Sequence, residues 1–399
     1  MTKLLIKLFI NRNNRQLHAD TASTGTREAY GKLAGGVGIT TNSLLAIAKV
    51  IIGLISGSIA IIADGVNNLT DAASSIITLI GFRLASQKRD KEHPFGHSRI
   101  EYMTGMLISA IIILVGFELL QNSFEKVLHP EDVKMSIPSI FVLVIAIFVK
   151  LWQSTFNFTL GNIIDSSALK ATATDSRNDY IATSAVLLSV LFTKFTGINI
   201  DGYIGLLVAA FIIYSGIQLI RETSDPLLGR APTPQLVSSI EKLVMKGEGV
   251  LGMHDLIVHD YGPGETFASV HIEVDAQGDV LRNHEMIDLI EHAALARLGI
   301  ELVAHMDPID TANPIIRPLR TRMTSELCYL DAVNGLHDFR IVKGEENTNV
   351  IFDVVLTDED EHTKSEVYDL ALKVLDDVKK ELQIPQTLSL VITFDLDYT

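Results

Sequence analysis

The chain has 399 residues, a formal net charge of −15 at pH 7 and a mean hydropathy of +0.29. An acidic balance of this size argues against nucleic acid as a partner and suits a surface that attracts cations. The single cysteine, Cys328, excludes an intrachain disulfide and a thiolate-rich metal site, and reads as a small core residue. The averages mix two unlike parts. Long apolar runs extend to about residue 220, and an acidic, soluble composition follows from about 223, for example Thr357-Asp-Glu-Asp-Glu361. A membrane domain followed by a soluble region is therefore expected.

At the N-terminus Lys3 and Lys7 interrupt Leu4, Leu5, Ile6, Leu8 and Phe9. This stretch is too short and too broken for a signal peptide. It reads as a basic amphipathic turn on the cytoplasmic leaflet or as an unstructured tail. Six apolar segments of spanning length follow, at about 33–55, 58–86, 102–120, 137–158, 164–195 and 200–220. Gly57-Ser58 and the stretch around Gly197 mark short turns. Basic residues gather in the leader (Arg12, Arg15, Arg27, Lys32), in the loop after the second segment (Lys88, Arg89, Lys91, Arg99) and after the sixth (Arg221, Arg230). The loop after the third segment carries Glu131 and Asp132 instead. This asymmetry puts both termini in the cytoplasm of a multi-pass protein, with the plasma membrane as the expected location.

Several of these segments hold residues that lipid disfavours. Ala63-Asp-Gly-Val-Asn-Asn-Leu-Thr-Asp71 lies inside the second segment, and Asp175 and Asp179 lie inside the fifth. Asp64 and Asn68 are four residues apart, as are Asp175 and Asp179, so each pair shares one helix face. A carboxylate at the centre of a membrane helix costs about 2.5–3.5 kcal/mol on insertion scales. A bound cation offsets that cost. The expectation is a transport site of Asp64, Asn68, Asp175 and Asp179, four hard oxygen donors without imidazole. Such a set suits Mn²⁺ or Mg²⁺ better than Zn²⁺. Carboxylates also exchange metal for protons. Asp71 shares the face of Asp64 and is left unassigned. Lys49 and Lys150 also fall in membrane segments, where pairing with acids is expected. No nucleophile and organic-substrate pocket accompany the carboxylates, so an enzyme is not expected.

From residue 234 the pattern changes. A helix is expected at 236–246, strands at 255–259 and 267–274 around the turn Gly262-Pro-Gly264, a helix at 283–298 and a strand at 300–305. This α-β-β-α-β order makes a small two-layer α+β domain. Gly252-Met-His-Asp then recurs as Gly335-Leu-His-Asp. A strand at 349–356, a helix at 365–382 and a strand at 388–394 follow, so a second copy of the domain is expected. The stretch 310–322, with Pro314, Pro318 and several Arg, reads as a linker. The organisation is thus an N-terminal cytoplasmic segment (1–32), a six-helix membrane domain (33–222) and two soluble domains (223–311 and 312–399).

Histidines gather in the first soluble domain. His254, His271, His284, His305 and Asp307 lie at strand and helix ends and are expected to bind metal (Zn²⁺, Fe²⁺ or Mn²⁺). In the second domain His337 recurs, but the other matching strands lack His, and a packing or dimerisation role is expected there. In the loop after the second segment Asp90, His93 and His97 have metal-ligand types at short spacing, but by their chemistry alone a structural role comes first, in a turn fixed by Pro94 and Gly96. Arg99 and Glu101 are expected to pair nearby.

The chain resembles the cation diffusion facilitators over residues 27–310. The resemblance rests on Ala-Asp-Gly-Val-Asn-Asn in the second segment and His-Pro-Phe-Gly-His-Ser-Arg-Ile-Glu after it. It rests also on Asp-Ser-Arg-Asn-Asp in the fifth segment, and on Gly-Met-His-Asp, Val-His-Ile-Glu and His-Met-Asp-Pro in the soluble domain. It implies a homodimer of six-helix protomers with ferredoxin-like cytoplasmic domains, exporting divalent metal against protons by alternating access. Asp64, Asn68, Asp175 and Asp179 match the family's transport site, Asp90, His93 and His97 its loop site, and His254, His271, His284, His305 and Asp307 its cytoplasmic cluster. The absence of His from the transport site is similar to the manganese-exporting branch. Fe²⁺ or Zn²⁺ export and a non-transporting membrane metal sensor are the alternatives. Two departures stand out: Leu227-Leu-Gly-Arg230 replaces the Leu-Leu-Asp-Arg of zinc exporters, and Arg99 replaces their Lys.

Overall fold

The computed structural model describes residues 2–10, 24–56, 59–129, 137–196, 200–343, 347–357, 360–385 and 387–396. The turns expected at Gly57-Ser58 and Gly197, the acidic loop at Glu131-Asp132, the side chain of Asp64 and part of the acidic run at 357–361 lie outside the described residues. The chain divides into two compact units, residues 1–230 with 260–265, and residues 231–259 with 266–399.

Among the described residues of the first unit a short helix α1 (Thr2–Phe9) precedes six long ones: α2 (Thr24–Ser56), α3 (Ile59–Ala85), α4 (Ile100–Leu128), α5 (Ile137–Ile163), α6 (Ser167–Thr196) and α7 (Asp201–Leu228). Among the described residues each apolar segment expected from the sequence falls largely on one of these helices, the fifth beginning at Ser167 rather than at about 164. Among the described residues four stretches are long and apolar enough to cross a bilayer: Gly25–Ile52, Ile100–Leu128, Ile140–Ile163 and Gly202–Leu228. The remaining two long helices, α3 and α6, have 27 and 30 residues. They carry Asn67, Asn68 and Asp71, and Asp175, Arg177, Asn178 and Asp179, which dilute their apolar character.

Burial in this unit is inverted relative to a water-soluble bundle. Leu54, Leu114, Phe141, Phe148 and Leu207 are exposed, while Asn42, Lys49, Asn68, Asp71, Thr78, Lys150 and Asn157 are buried. Polar side chains between helices with an apolar exterior are what lipid selects. Helix α2 packs on α3, α4 on α7 and α5 on α6. Small residues allow the approach: a Cβ on Gly31 would fall 2.2 Å from Phe82, and one on Gly205 would fall 2.2 Å from Ser123 Oγ. Leu5 and Ile6 of helix α1, with Ile10 just after it, pack against a cluster of Tyr30, Phe82, Phe156 and Leu160, and Leu4, Leu8 and Phe9 are exposed.

Glu101 pairs with Arg27 rather than with Arg99. Arg27 approaches it with two nitrogens, at 2.7 and 3.0 Å, in a contact where both residues are buried. Arg27 also donates to the carbonyl of Ile164, so one guanidinium ties α2, α4 and the end of α5. Arg99 instead donates to the carbonyl of Asp260, at 2.6 Å, and its guanidinium lies over the ring of Tyr261.

The second unit holds the order α-β-β-α-β twice. The first lobe is α8 (Pro234–Val244), β1 (Val250–Asp260), β2 (Thr266–Asp275), α9 (Val280–Leu298) and β3 (Ile300–Ile309). The second is α10 (Ile316–Leu327), β4 (Val333–Lys343), β5 (Asn347–Leu356), α11 (Glu361–Glu381) and β6 (Thr387–Leu396). Each lobe has one three-stranded sheet, in the order β1-β2-β3 or β4-β5-β6, whose last two strands run parallel. The order is that of a ferredoxin-like β-α-β-β-α-β unit without its leading strand. Each sheet buries one face under its helices. Val270, Ile272 and Val274 pack with Ile287, Ile290 and Ala294 in the first lobe, and Val350, Phe352 and Val354 with Val367, Ala371 and Leu375 in the second.

The stretch expected as a linker is mostly helix α10. Ile316, Leu319, Met323 and Leu327 recur on one face and are at most 5% exposed. Their helical spacing outweighs Pro314 and Pro318, which lie before the helix and in its first turn. Arg320 on the same helix reaches both carboxylate oxygens of Glu273 in the first lobe, each at 3.1 Å. Cys328 caps α10 and is exposed, contrary to the core position expected.

Candidate metal centres

The membrane cluster is assembled from three helices. Asp175 and Asp179 project from one face of α6, as their four-residue step requires. Asp71 comes from α3, and carboxylate oxygens of the three lie within 4.8 Å of one another. Lys150 from α5 points into the group, its Nζ 2.6 Å from Asp71 Oδ2 and 2.6 Å from Asp179 Oδ2. Asn68 Nδ2 donates to Asp71 Oδ2 at 3.1 Å, while its Oδ1 is buried and accepts no hydrogen bond among the described residues. Thr78 and Thr172 meet 3.1 Å apart and hold α3 to α6 near the cluster.

Asp71 links Asn68 on α3 to Asp175 and Asp179 on α6, and the fourth expected member, Asp64, has its side chain outside the described residues. The position of Asp71 was left unassigned from sequence, and its three-residue step from Asn68 was the available signal. Lys150 was expected to pair with an acid, and pairs with two. Three carboxylates with one ammonium among them form an oxygen-rich cage. That suits a hard divalent cation.

In the loop between α3 and α4, Asp90 Oδ1 accepts from the backbone N–H groups of His93 and Glu92, at 2.7 and 3.0 Å. These donors, that of His93 first, hold the Asp90 carboxyl below its ordinary value. His97 Nε2 stands 3.6 Å from the other oxygen of Asp90, and the two imidazole rings lie 4.4 Å apart. The three residues offer ligand atoms within 4.8 Å of one another. Asp90 and His93 are exposed, whereas His97 is mostly covered and its Nδ1 has no partner.

In the first soluble lobe the sheet register sets His271 beside His305 and Glu273 beside Asp307 on the parallel strands β2 and β3. Asp307 Oδ2 lies 3.0 Å from His271 Nδ1 and 3.1 Å from His254 Nε2. The second contact is close but not aligned as a hydrogen bond. His305 Nε2 reaches the other oxygen at 3.2 Å. Two imidazoles and a carboxylate converge, with a third imidazole at the margin, a donor set suited to zinc or a neighbouring transition metal. His284 does not join them. It stands exposed on α9, facing Asp288 at 3.4 Å.

Sequence reasoning missed Asp255, which joins His254 and His337 in a further group, and missed Asp353 and Asp395, which join His337. The second lobe is therefore not stripped of potential ligands. On its strands two carboxylates, Asp353 and Asp395, stand with one histidine, His337.

Comparison with known proteins gives two family matches. The cation efflux transmembrane domain matches residues 37–228, and the cytoplasmic domain of cation efflux proteins matches residues 232–309. Residues 310–399 lie beyond both. An uncharacterized transporter of Methanocaldococcus jannaschii is 29% identical over 273 residues, covering 68% of this chain and 96% of the relative. The cation-efflux pump FieF of Yersinia enterocolitica is 28% identical over 267 residues, 67% of this chain and 89% of the pump. That of Klebsiella pneumoniae is 26% identical over 285 residues, 70% of this chain and 95% of the pump.

Proposed function

We propose a cargo, a coupling ion and a direction for a chain that belongs to the cation efflux family: it exports Mn²⁺ from the cytoplasm in exchange for protons. At the level of the family it is a membrane-embedded divalent metal cation efflux transporter, and members of the family are transporters rather than enzymes. The observation that supports manganese is the donor set. Asp71, Asp175 and Asp179 present only oxygen, and the unpartnered Oδ1 of Asn68 is a further acceptor beside them. Hard oxygen donors favour Mn²⁺ over Zn²⁺. Asp64, one turn from Asn68 on α3, completes the reading of the transport site.

Proton coupling follows from the same chemistry, because a carboxylate that takes a proton gives up its metal. Lys150 supplies a cation of the protein's own to the cluster, and an arriving divalent ion competes with it for Asp71 and Asp179. All six long helices span the membrane in this reading, α3 and α6 with their polar faces turned inward. The basic residues of the α3–α4 loop and the exit of α7 support an orientation with both termini in the cytoplasm. The protein works as a homodimer in the plasma membrane, with residues 33–222 as transport domain and 223–311 and 312–399 as two copies of one soluble domain. Metal held by His254, His271, His305 and Asp307, and by Asp90, His93 and His97, reports the cytoplasmic metal level to the transport domain. Zn²⁺ or Fe²⁺ as cargo is the second reading, favoured by the imidazoles of the soluble cluster.

Metal uptake into proteoliposomes across Mn²⁺, Fe²⁺, Zn²⁺ and Co²⁺, with and without a proton gradient, tests this. Mn²⁺ flux is expected to be fastest, to respond to the gradient and to be abolished by Asp175→Ala. Undiminished flux in that variant removes the membrane site as the route. Faster Zn²⁺ or Fe²⁺ flux moves the cargo to the second reading.

A further inference from the structure

His337 on β4, Asp353 on β5 and Asp395 on β6 offer one ring nitrogen and two carboxylate oxygens within 4.8 Å of one another. These positions answer to those of the first lobe. His337 follows Gly335-Leu336 as His254 follows Gly252-Met253. Asp353 stands two residues before Val355, which faces Asp395 across the parallel pair. His271 stands two residues before Glu273, which faces Asp307. His254, His271 and Asp307 therefore correspond to His337, Asp353 and Asp395.

The backbone carries the same correspondence. Asp255 and Asp338, each directly after its histidine, have φ of 51° and 49° within a strand. Left-handed non-glycine residues are uncommon, and they gather where a structure must aim side chains. On β4 this residue falls at a register shift between His337 and Arg340. Both lobes keep the same local distortion beside the same ring.

The two groups face one cleft of about 680 Å³, lined by His254, Asp255, His271, His337, Asp353 and Asp395. The rings of His254 and His337 stack 4.6 Å apart. Asp255 stands between them, with Oδ2 3.3 Å from His254 Nδ1 and Oδ1 3.6 Å from His337 Nε2. His337 is 8% exposed, and its Nδ1 is buried without a hydrogen-bond partner among the described residues. A buried polar atom left unpaired is costly, and an interface held by hydrogen bonds alone would have satisfied it. Among the described residues no Lys or Arg pairs with Asp353 or Asp395.

We propose that His337, Asp353 and Asp395 form a second divalent-cation site in the soluble part of the chain, beside the cluster of His254, His271 and Asp307 and distinct from it. One imidazole and two carboxylates make it the harder of the two, so relative to the first it favours Mn²⁺ over Zn²⁺. Thr393 faces Asp353 where His305 faces His271, so the second site lacks the marginal imidazole as well as the one that Asp353 replaces. Asp255 links the sites, so a cation bound to the second lobe also bears on the first.

The test counts metal bound by the purified full chain in detergent, carrying Asp175→Ala to silence the membrane site. After stripping with chelator, the protein is dialysed against Mn²⁺ or Zn²⁺ and bound metal per chain is measured. Asp353→Asn with Asp395→Asn, which preserves shape, is expected to remove one equivalent of Mn²⁺ or weaken its binding at least tenfold. Asp307→Asn is expected to remove a different equivalent, and the combined variant both. Thr393→His is expected to tighten Zn²⁺ at the second site at least tenfold, a gain that misfolding cannot imitate. Circular dichroism and gel filtration verify the fold of each variant. Unchanged count and affinity in the Asp353/Asp395 variant overturn the proposal, as does a combined variant that loses no more than Asp307→Asn alone. Binding, not flux, is read, so the export reading stands or falls separately.

Discussion

Lys150→Met separates a cation that belongs to the protein from one that is transported. The ammonium lies 2.6 Å from oxygens of Asp71 and Asp179. At an effective dielectric of about 20, each contact at that distance attracts by roughly 6 kcal/mol. Desolvation offsets most of this, and deleting one member of a buried ion pair leaves a net loss of about 3–5 kcal/mol. Methionine keeps the length and removes the charge, so metal-free Lys150→Met is expected to melt well below the parent chain. Metal affinity should move the other way. An arriving Mn²⁺ no longer competes with the ammonium for two of the three carboxylates, and a gain of roughly 1.4–2.8 kcal/mol corresponds to tenfold to a hundredfold tighter binding. Melting in detergent with and without Mn²⁺, followed by the fluorescence of the single tryptophan, Trp152, two residues along α5, reads both effects. A Lys150→Met chain that loses stability and also loses Mn²⁺ affinity refutes the competition and makes Lys150 a support for the site.

Asn68→His introduces an imidazole beside Asp71 and is expected to raise Zn²⁺ over Mn²⁺ in transport. An unchanged ratio of the two rates would count against the oxygen-donor basis of selectivity. Arg27→Ala strands Glu101, which is 2% exposed, and is expected to cost about 3–5 kcal/mol in thermal unfolding. Adding Glu101→Gln should recover a large part, and no recovery would mean that the pair is not the source of the loss. Cys328 is exposed, yet partial burial raises its thiol pKa. Maleimide labelling should therefore be complete but slower at neutral pH than for a free thiol, with a rate that climbs as pH rises toward the raised value. A rate equal to that of a free thiol would show the group to be unperturbed.

Periodicity made most of the architecture legible. Apolar runs gave the long helices, and the recurrence of Gly-x-His-Asp pointed to a second lobe whose element order matches the first. Asp175 and Asp179 were legible because a four-residue step on one helix needs no knowledge of tertiary structure. Lys150 lies 79 positions from Asp71 and 29 from Asp179, and no local rule sets it between them. Helix α10 was hidden because Pro314, Pro318 and several arginines outweighed a clear apolar face at Ile316, Leu319, Met323 and Leu327. His284 was grouped with the other histidines by residue type, but a helix face turned it away from the sheet edge where they converge. Asp353 and Asp395 were passed over for the opposite reason: they hold the geometric places of ligands while being of another residue type.

Two lobes on one chain also escape a constraint that binds symmetric assemblies. When a pair of facing sites is built from two copies of one polypeptide, each replacement appears on both sides, and the sites stay identical. Here His305 and Thr393 occupy matching places and differ. So do His271 and Asp353, while His254 and His337 remain the same and stack against each other. Each half can change one residue at a time while the other keeps what it has. A single gene can thus tune two neighbouring binding places to different ions.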